Sequence, residues 1–401
     1  MATIVSEVIA GVDTHADTHH AAVVDATGKR LGDQQFPTTE DGYLALIAFL
    51  VSFGTLLRVG VEGTGSYGAG LARALMAHAI PVVEVIRPNR QIRRMRGKTD
   101  PIDAYAAAAT ALADGDLPTP KTADGAAEAI RNVMVARRSA VKARTTAQTQ
   151  IKSLLVTAPE RIRTAYRDMT DAALVLALSR TRDTGRDRVE DTIKQALRAL
   201  ARRHQLLTEE ISAHDTLLEQ LTAEHNAAMR ASKGFGVVTT AQLLITAGDN
   251  PERLHSEASF AALCGVSPIP ASSGKTTRHR LNRGGDRQAN AALHRVVLVR
   301  MSYDERTRDY VARKREQGKS TKEIIRCLKR AVAREAFTLL TKHVDVPVID
   351  DLRPLRQARG ISLQAAANQL GVWPTKVSRI ERGEARDDAF VANYREWLLT
   401  V

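Results

Sequence analysis

Through the first third of the chain, short apolar runs of strand length are broken by turn residues. EVIAGVDTH (7–15) and HHAAVVDA (19–26) read as two strands, and Gly28 marks the turn into a third, RLGDQQFPTT (30–39). An amphipathic helix, YLALIAFLVSF (43–53), precedes an apolar strand, LLRVGVEGT (56–64). A helix (GAGLARALMAH, 68–78), a strand (PVVEVIRP, 81–88) and an alanine-rich helix from Pro101 complete the pattern. Three strands in a meander followed by α-β-α-β-α is the element order of an RNase H-like (RuvC-like) domain, assigned to residues 1–118.

Beyond the linker DLPTPKTADG (116–125) the pattern becomes helical, and residues 126–230 read as a helical, coiled-coil region. Ile193, Leu197, Leu200, His204, Leu207, Ile211, His214, Leu218, Leu221 and His225 are spaced 4-3, as in a coiled-coil seam of about four heptads. The same stripe also fits a long helix packed on its own domain. Residues 231–345 read as a third, mostly helical domain, opening with the Gly-x-Gly turn of KGFGVVTTAQLLITAG. The last unit, 352–401, reads as helix, helix, a tight turn at Gly371 and a further helix. The fold class is therefore α/β plus all-α.

Composition narrows the function. With 44% hydrophobic and 26% charged residues over 401 positions, the chain is ordinary for a folded protein rather than a disordered one. Two cysteines exclude a disulfide framework, and no apolar run approaches the ~18 residues of a membrane span. The start, MATIVSEVIAG, lacks the basic n-region of a secretory leader, so a cytoplasmic protein is expected. The net charge of +13 is unevenly spread: residues 272–334 hold eighteen Lys and Arg against six Asp and Glu. A second knot, RPNRQIRRMRGK (87–98), holds six basic residues and no acid. Single-sign clusters point to a polyanion, and nucleic acid fits best because counterion release rewards clustered Lys and Arg. Arg87, Arg90, Arg93, Arg94 and Lys98 of the knot, and Lys275, Arg278, Arg280 and Arg283, are the candidate contacts.

Four carboxylates stand out by position. Asp13 ends the first strand, Glu62 ends the fourth, and Asp100 and Asp103 open a helix in KTDPIDA. Such groups converge on one sheet edge and repel one another unless a divalent cation neutralises them, and oxygen donors of this kind suit Mg²⁺ or Mn²⁺. Each also has a plain structural role: Asp100 as an N-cap before Pro101, Asp13 capping a turn, Glu62 paired with the basic knot. His15, Asp17, His19 and His20 crowd the first turn without zinc spacing and read as a solvated or outer cluster. Ser272 and Ser273 precede Gly274 in a Pro/Gly-bounded loop, either an ordinary turn or a nucleophile with cations behind it.

Two blocks then resemble a known family. GVDTH, GVEGTGSY and VIRPNRQIRRMRGKTDPIDA, followed by KGFGVVTTAQLL through SFAALCGVSPIPASSGKTTRHRLNRGGDRQANAALHRVV, are similar to the DEDD insertion-sequence transposases with a catalytic serine. These are the bridge-RNA-guided recombinases. The resemblance implies that Asp13, Glu62, Asp100 and Asp103 bind Mg²⁺ and that Ser273, with Ser272 as its neighbour, is the nucleophile. It also implies double-stranded donor and target DNA, a guide (bridge) RNA, and a homo-oligomer, dimer or tetramer, with a composite active site. Action would be in the bacterial cytoplasm, at the nucleoid. SLQAAANQLGV and SRIERG resemble a Cro/repressor-type helix-turn-helix, which would place Thr375, Lys376 and Arg379 on a recognition helix. That unit lies beyond the family's shared region. The rival readings are a RuvC-like metal nuclease acting on branched DNA without a covalent intermediate, and a DNA-binding regulator with a degenerate nuclease fold.

Overall fold

The computed structural model describes residues 6–85, 99–113, 117–185, 187–271, 279–280, 282, 284–383 and 387–400. They fall into two compact units, 1–125 with 247–255, and 126–246 with 256–401.

The first unit is built on a five-stranded sheet. Strands β1 (Glu7–Thr14), β2 (Thr18–Asp25) and β3 (Arg30–Pro37) form an antiparallel meander, and Gly28 takes the positive φ of +85° that its turn requires. β4 (Thr55–Glu62) then pairs in parallel with β1, and β5 (Val82–Val85) with β4, giving the order β3-β2-β1-β4-β5. Helices α1 (Glu40–Val51) and α2 (Ala69–Ala77) cover one face through Val8, Ala10, Val12, Val59 and Val61. Helix α3 (Asp100–Leu112) covers the other, where Ile9, Ala22 and Val24 meet Ala104, Ala108 and Ala111.

On that second face the sheet presents glycine at the points of closest approach. A Cβ on Gly11 would lie 2.0 Å from the backbone nitrogen of Ala108 and 2.4 Å from the carbonyl oxygen of Ala104. One on Gly60 would lie 2.8 Å from the carbonyl oxygen of Ala107. The alanine face of α3 thus rests against bare backbone on β1 and β4. Tyr105 of α3 donates a hydrogen bond to Asp33 of β3 at 3.0 Å, and Asp33 also meets the His20 ring at 2.7 Å.

The second unit is helical. Helix α4 (Ala126–Thr157) leads through α5 (Glu160–Tyr166) and α6 (Asp171–Ser179) to the 38-residue α7 (Arg188–His225). α7 runs back along α4: Leu197 and Ala201 cluster with Ile151, and Leu218 with Ile130 and Met134. The 4-3 stripe is therefore covered within the chain along much of its length, as in the self-packed alternative. His225 at its end is exposed. After α8 (Ala227–Ala231) come α9 (Val237–Ala247), α10 (Glu257–Leu263), a two-stranded ladder of β6 (Ile269–Pro270) with β7 (His279–Arg280), α11 (Arg287–Tyr303), α12 (Glu305–Glu316) and α13 (Thr321–Thr341).

The chain ends in α14 (Leu352–Ala358), α15 (Leu363–Gln369), α16 (Pro374–Glu381) and α17 (Asp388–Thr400), packed around Leu352, Ala366, Val377, Ile380, Tyr394 and Leu398. Gly371, at φ +64°, makes the turn between α15 and α16. Glu381, from the SRIERG run, takes both ends of the Arg356 guanidinium (2.7 and 2.9 Å) and the Tyr394 hydroxyl (2.7 Å). This buried pair fixes α14 against α16 and explains why a charged residue occupies a core position.

Gly11→Ala drives a methyl into backbone that cannot rotate away. It should lower unfolding stability by about 3 kcal/mol, the upper end of the overpacking range, measured by denaturant titration. A wild-type midpoint would show that α3 is not seated on β1 as described.

Candidate functional site

The carboxylates follow from the glycines. Strand side chains alternate, so Asp13 shares a face with Gly11, and Glu62 with Gly60. Both strands carry Gly-Val followed by an acid, GVD (11–13) and GVE (60–62), and both acids end their strands on the α3 face. Thr14 ties the two ends together by donating to the Glu62 carbonyl at 2.8 Å. The start of α3 supplies Asp100 and Asp103, whose charges meet the positive end of the helix. Thr99, not Asp100, is the N-cap residue, and it makes no side-chain capping bond. The Asp100 carboxylate is therefore not the cap that Asp-Pro implied.

Ligand atoms of Asp13, His15 and Asp100 lie within 4.8 Å of one another. His15 Nδ1 is 3.8 Å from Asp13 Oδ2, beyond hydrogen-bond reach. Asp13 is 5% exposed and Asp103 3%. The Asp13 carboxyl is pushed above the usual aspartate range, first by burial and then by Asp103, Glu62 and Asp100, against the lowering influence of His15. All four acids thus act on one point. The Oδ2 of Asp13 is buried without a hydrogen-bond partner among the described residues. A buried orphan oxygen with the Asp100 carboxylate and the His15 ring close by is what a divalent cation would satisfy, so the donor set fits a metal, while Glu62 and Asp103 fall outside that close group and act on it by charge alone.

The histidine cluster of the first turn separates. His19 is fully buried in a stack on Tyr43, and burial holds its pKa below the usual histidine value. His20 pairs with Asp33, Asp17 is exposed, and His15 alone joins the acidic set. The solvated reading of the cluster is corrected for His19: alternation along β2 turns it inward and its neighbour to the other face.

The remaining candidates divide by position. Arg87, Arg90, Arg93, Arg94 and Lys98 lie outside the described residues, as do Ser272, Ser273, Lys275, Arg278 and Arg283. The segment with both serines joins β6 to β7, which pair Ile269 with Arg280 and Pro270 with His279. Arg280 is exposed. The base of this ladder is fixed by a close backbone contact, since a Cβ on Gly285 would lie 2.5 Å from the Leu263 carbonyl oxygen. Asp286 caps α11 through Gln288 and Ala289 and accepts from Thr246 at 2.7 Å. Cys264 nearby is buried, and burial pushes its thiol up to about 12, which removes it as a nucleophile at neutral pH.

In the last unit, Thr375 and Arg379 are exposed on α16. Lys376 is instead engaged by Asp387 at 2.8 Å and lies over the Phe390 ring. Trp373, just before the helix, is 81% exposed.

Three stretches match known families. Residues 10–159 match a transposase family of the IS110 DEDD type, and 226–312 match the transposase IS116/IS110/IS902 family. Residues 350–393 match a helix-turn-helix domain. Over 387 residues the chain is 26% identical to the insertion element IS900 uncharacterized 42 kDa protein of Mycobacterium paratuberculosis, covering 83% of this chain and 96% of that one. Over 386 residues it is 27% identical to the insertion element IS110 uncharacterized 43.6 kDa protein of Streptomyces coelicolor, covering 83% and 94%. The chain therefore carries IS110/IS116-type transposase domains and a C-terminal helix-turn-helix. These findings favour a transposase over a branched-DNA nuclease.

Metal binding should be readable without activity. The Asp13 pKa is raised in the folded chain, so without metal its ionisation removes stability as pH rises from about 3.8 through the raised value. A cation must displace that proton, so metal affinity should increase over the same window. In EDTA at pH 7, Asp13→Asn should melt at or above wild type, and Mn²⁺ or Mg²⁺ should raise the wild-type midpoint while leaving the variant unmoved. Equal metal shifts in both proteins would remove Asp13 from the ligand set.

Proposed function

We propose that this chain is the transposase of an insertion element, an RNA-guided DNA recombinase that cuts and rejoins strands through Ser273. The observation that carries the reading is the gathering of Asp13, His15 and Asp100 within 4.8 Å of one another, with the Asp13 oxygen left unsatisfied among the described residues and Glu62 and Asp103 adding negative charge from further off. The strand order β3-β2-β1-β4-β5 supports an RNase H-like first domain. Asp13 and Asp100 hold Mg²⁺, with His15 beside them and Glu62 and Asp103 completing the negative field. When bound, the ion neutralises charge on the phosphodiester and makes a coordinated hydroxyl easier to deprotonate.

The serine step balances without an energy source. The Ser273 oxygen forms a bond to phosphorus, one sugar oxygen leaves, and the serine proton ends on that sugar hydroxyl. A hydroxyl of the partner strand then attacks the phosphoserine, which restores the serine and joins the new strands. The basic stretches 87–98 and 272–334 hold nucleic-acid backbone, the guide RNA included. The helix-turn-helix adds a separate duplex contact through Trp373, Thr375 and Arg379.

Ser273→Ala should abolish the covalent protein–DNA adduct on denaturing gels while leaving DNA binding within about twofold, and Ser272→Ala should retain the adduct. An adduct that survives Ser273→Ala moves the nucleophile to Ser272, and cleavage without an adduct moves it to water. RNA co-purified with the protein from cells carrying its flanking DNA should be one discrete species; a heterogeneous mixture counts against guidance. Arg379→Ala should weaken binding of the isolated promoter or element-end duplex by roughly 1–3 kcal/mol at the base it reads. An unchanged footprint there would exclude α16 as the reading helix.

A further inference from the structure

A cavity of about 690 Å³ in the second unit lies at the foot of the β6–β7 ladder, lined by Gly265 to Pro268, by His279 and Arg280, and by one face of α13. Its walls are strongly basic. Glu323 is the one carboxylate among the lining residues, and it is held by the Ser320 N–H at 2.9 Å and hydroxyl at 2.7 Å in a capping box. Arg330 is paired with Glu257. Arg280, Lys319 and Arg326 form no ion pair among the described residues.

Lys329 is the residue that needs explaining. It is only 7% exposed and lines the cavity, yet it forms no ion pair among the described residues. Among the described residues its ammonium has one acceptor, Asn290 Oδ1 at 2.9 Å. The Asn290 amide is itself fixed, because its nitrogen donates to the carbonyls of Cys264 and Gly265 at 2.9 and 3.0 Å. Burial, with Arg326 nearby, lowers the Lys329 pKa. A lysine buried only for structure is normally paired with an anion. Here the described scaffold orients the cation and pairs it with no carboxylate, which is the arrangement of a site whose anion arrives with the ligand. Lys329 also lies beyond the stretch 226–312 that matches the transposase family.

We infer that this cavity is a phosphodiester-binding site, in which Lys329 and Arg326 hold a backbone phosphate of the DNA strand that passes the β6–β7 ladder. The assignment of the strand as DNA rests on the proposed function, since the ladder carries the segment with Ser273; the anion site itself does not. Two cations converging on one phosphate fix its position as well as its charge. Lys329 is accordingly a positioning residue for that phosphate.

The test uses the full-length protein, a short DNA duplex and an RNA of the same sequence. Lys329→Met should weaken DNA binding about tenfold at moderate salt and reduce the slope of log K against log salt by about one, the signature of a lost phosphate contact. Lys329→Arg should recover most of that slope. The ligand-free Lys329→Met protein should melt no lower than wild type, because it loses an uncompensated charge, and inorganic phosphate should raise the wild-type midpoint but not the variant's. Arg326→Ala supplies the same slope measurement should the first variant fold poorly. An unchanged DNA slope in both variants overturns the site. So does a weaker, lower-melting Lys329→Met with a wild-type slope, which marks a structural lysine, and so does a loss confined to RNA. Ser273→Ala separates the two ideas: an adduct that persists there while Lys329→Met loses its slope removes the Ser273 assignment and leaves the phosphate site standing.

Discussion

The contact on which the first unit depends is the approach of one helix to bare strand backbone. Alanine on α3 and glycine on β1 and β4 leave no side chain between the layers at Gly11 and Gly60. A helix held that close cannot slide without collision, so its first turn is delivered to a fixed height above the strand ends. Asp13 and Glu62 reach that height from below, two residues beyond their glycines, and Asp100 and Asp103 reach it from above. Packing by the smallest residues and a cluster of charge are thus one construction, with the apolar contact holding the acids where their repulsion alone would part them.

That repulsion has a use. Asp13 is buried, raised in pKa and short of a hydrogen-bond partner for one oxygen among the described residues, so the folded chain carries an unfavourable charge at the place where chemistry is expected. Lys329 repeats the logic with the opposite sign in the second unit. Each is a charge that the surrounding scaffold orients without neutralising. Elsewhere the chain does neutralise its buried ions, as Arg356 with Glu381 shows. The contrast separates charges that serve packing from charges that await something else.

Much of this was legible beforehand, for physical reasons that differ by element. The strands of the first unit announce themselves because they are short apolar runs bounded by turn residues, Gly28 among them. The four acids are visible because strand ends and a helix start are visible. His15 was not, since its place beside Asp13 and Asp100 depends on how the chain turns between β1 and β2, and no spacing rule separates it from His19 or His20. The repeated Gly-Val-acid triplet was a readable signal for the close helix. Lys329 was hidden in a run of basic residues, where every lysine looks solvated until burial is known. The 4-3 stripe of α7 fits a coiled-coil seam and a helix packed on its own domain alike, because the spacing is the same whether the partner is another chain or, as along much of it here, α4.

The pairing of α4 with α7 also bears on how such chains can change length. At 1.5 Å per residue the 38-residue α7 extends about 57 Å, and each added residue turns everything beyond it by about 100°. One insertion in either arm would swing Leu218 or Met134 out of the shared core and bring a polar flank inward. Seven residues return the stripe almost to its starting angle, and a matched seven in the other arm restores the partner. The hairpin is therefore a phased element: its arms can grow or shrink together only by lengths close to whole turns, such as about 7, 11 or 18 residues, and lengths that fall between turns are excluded by their own phase.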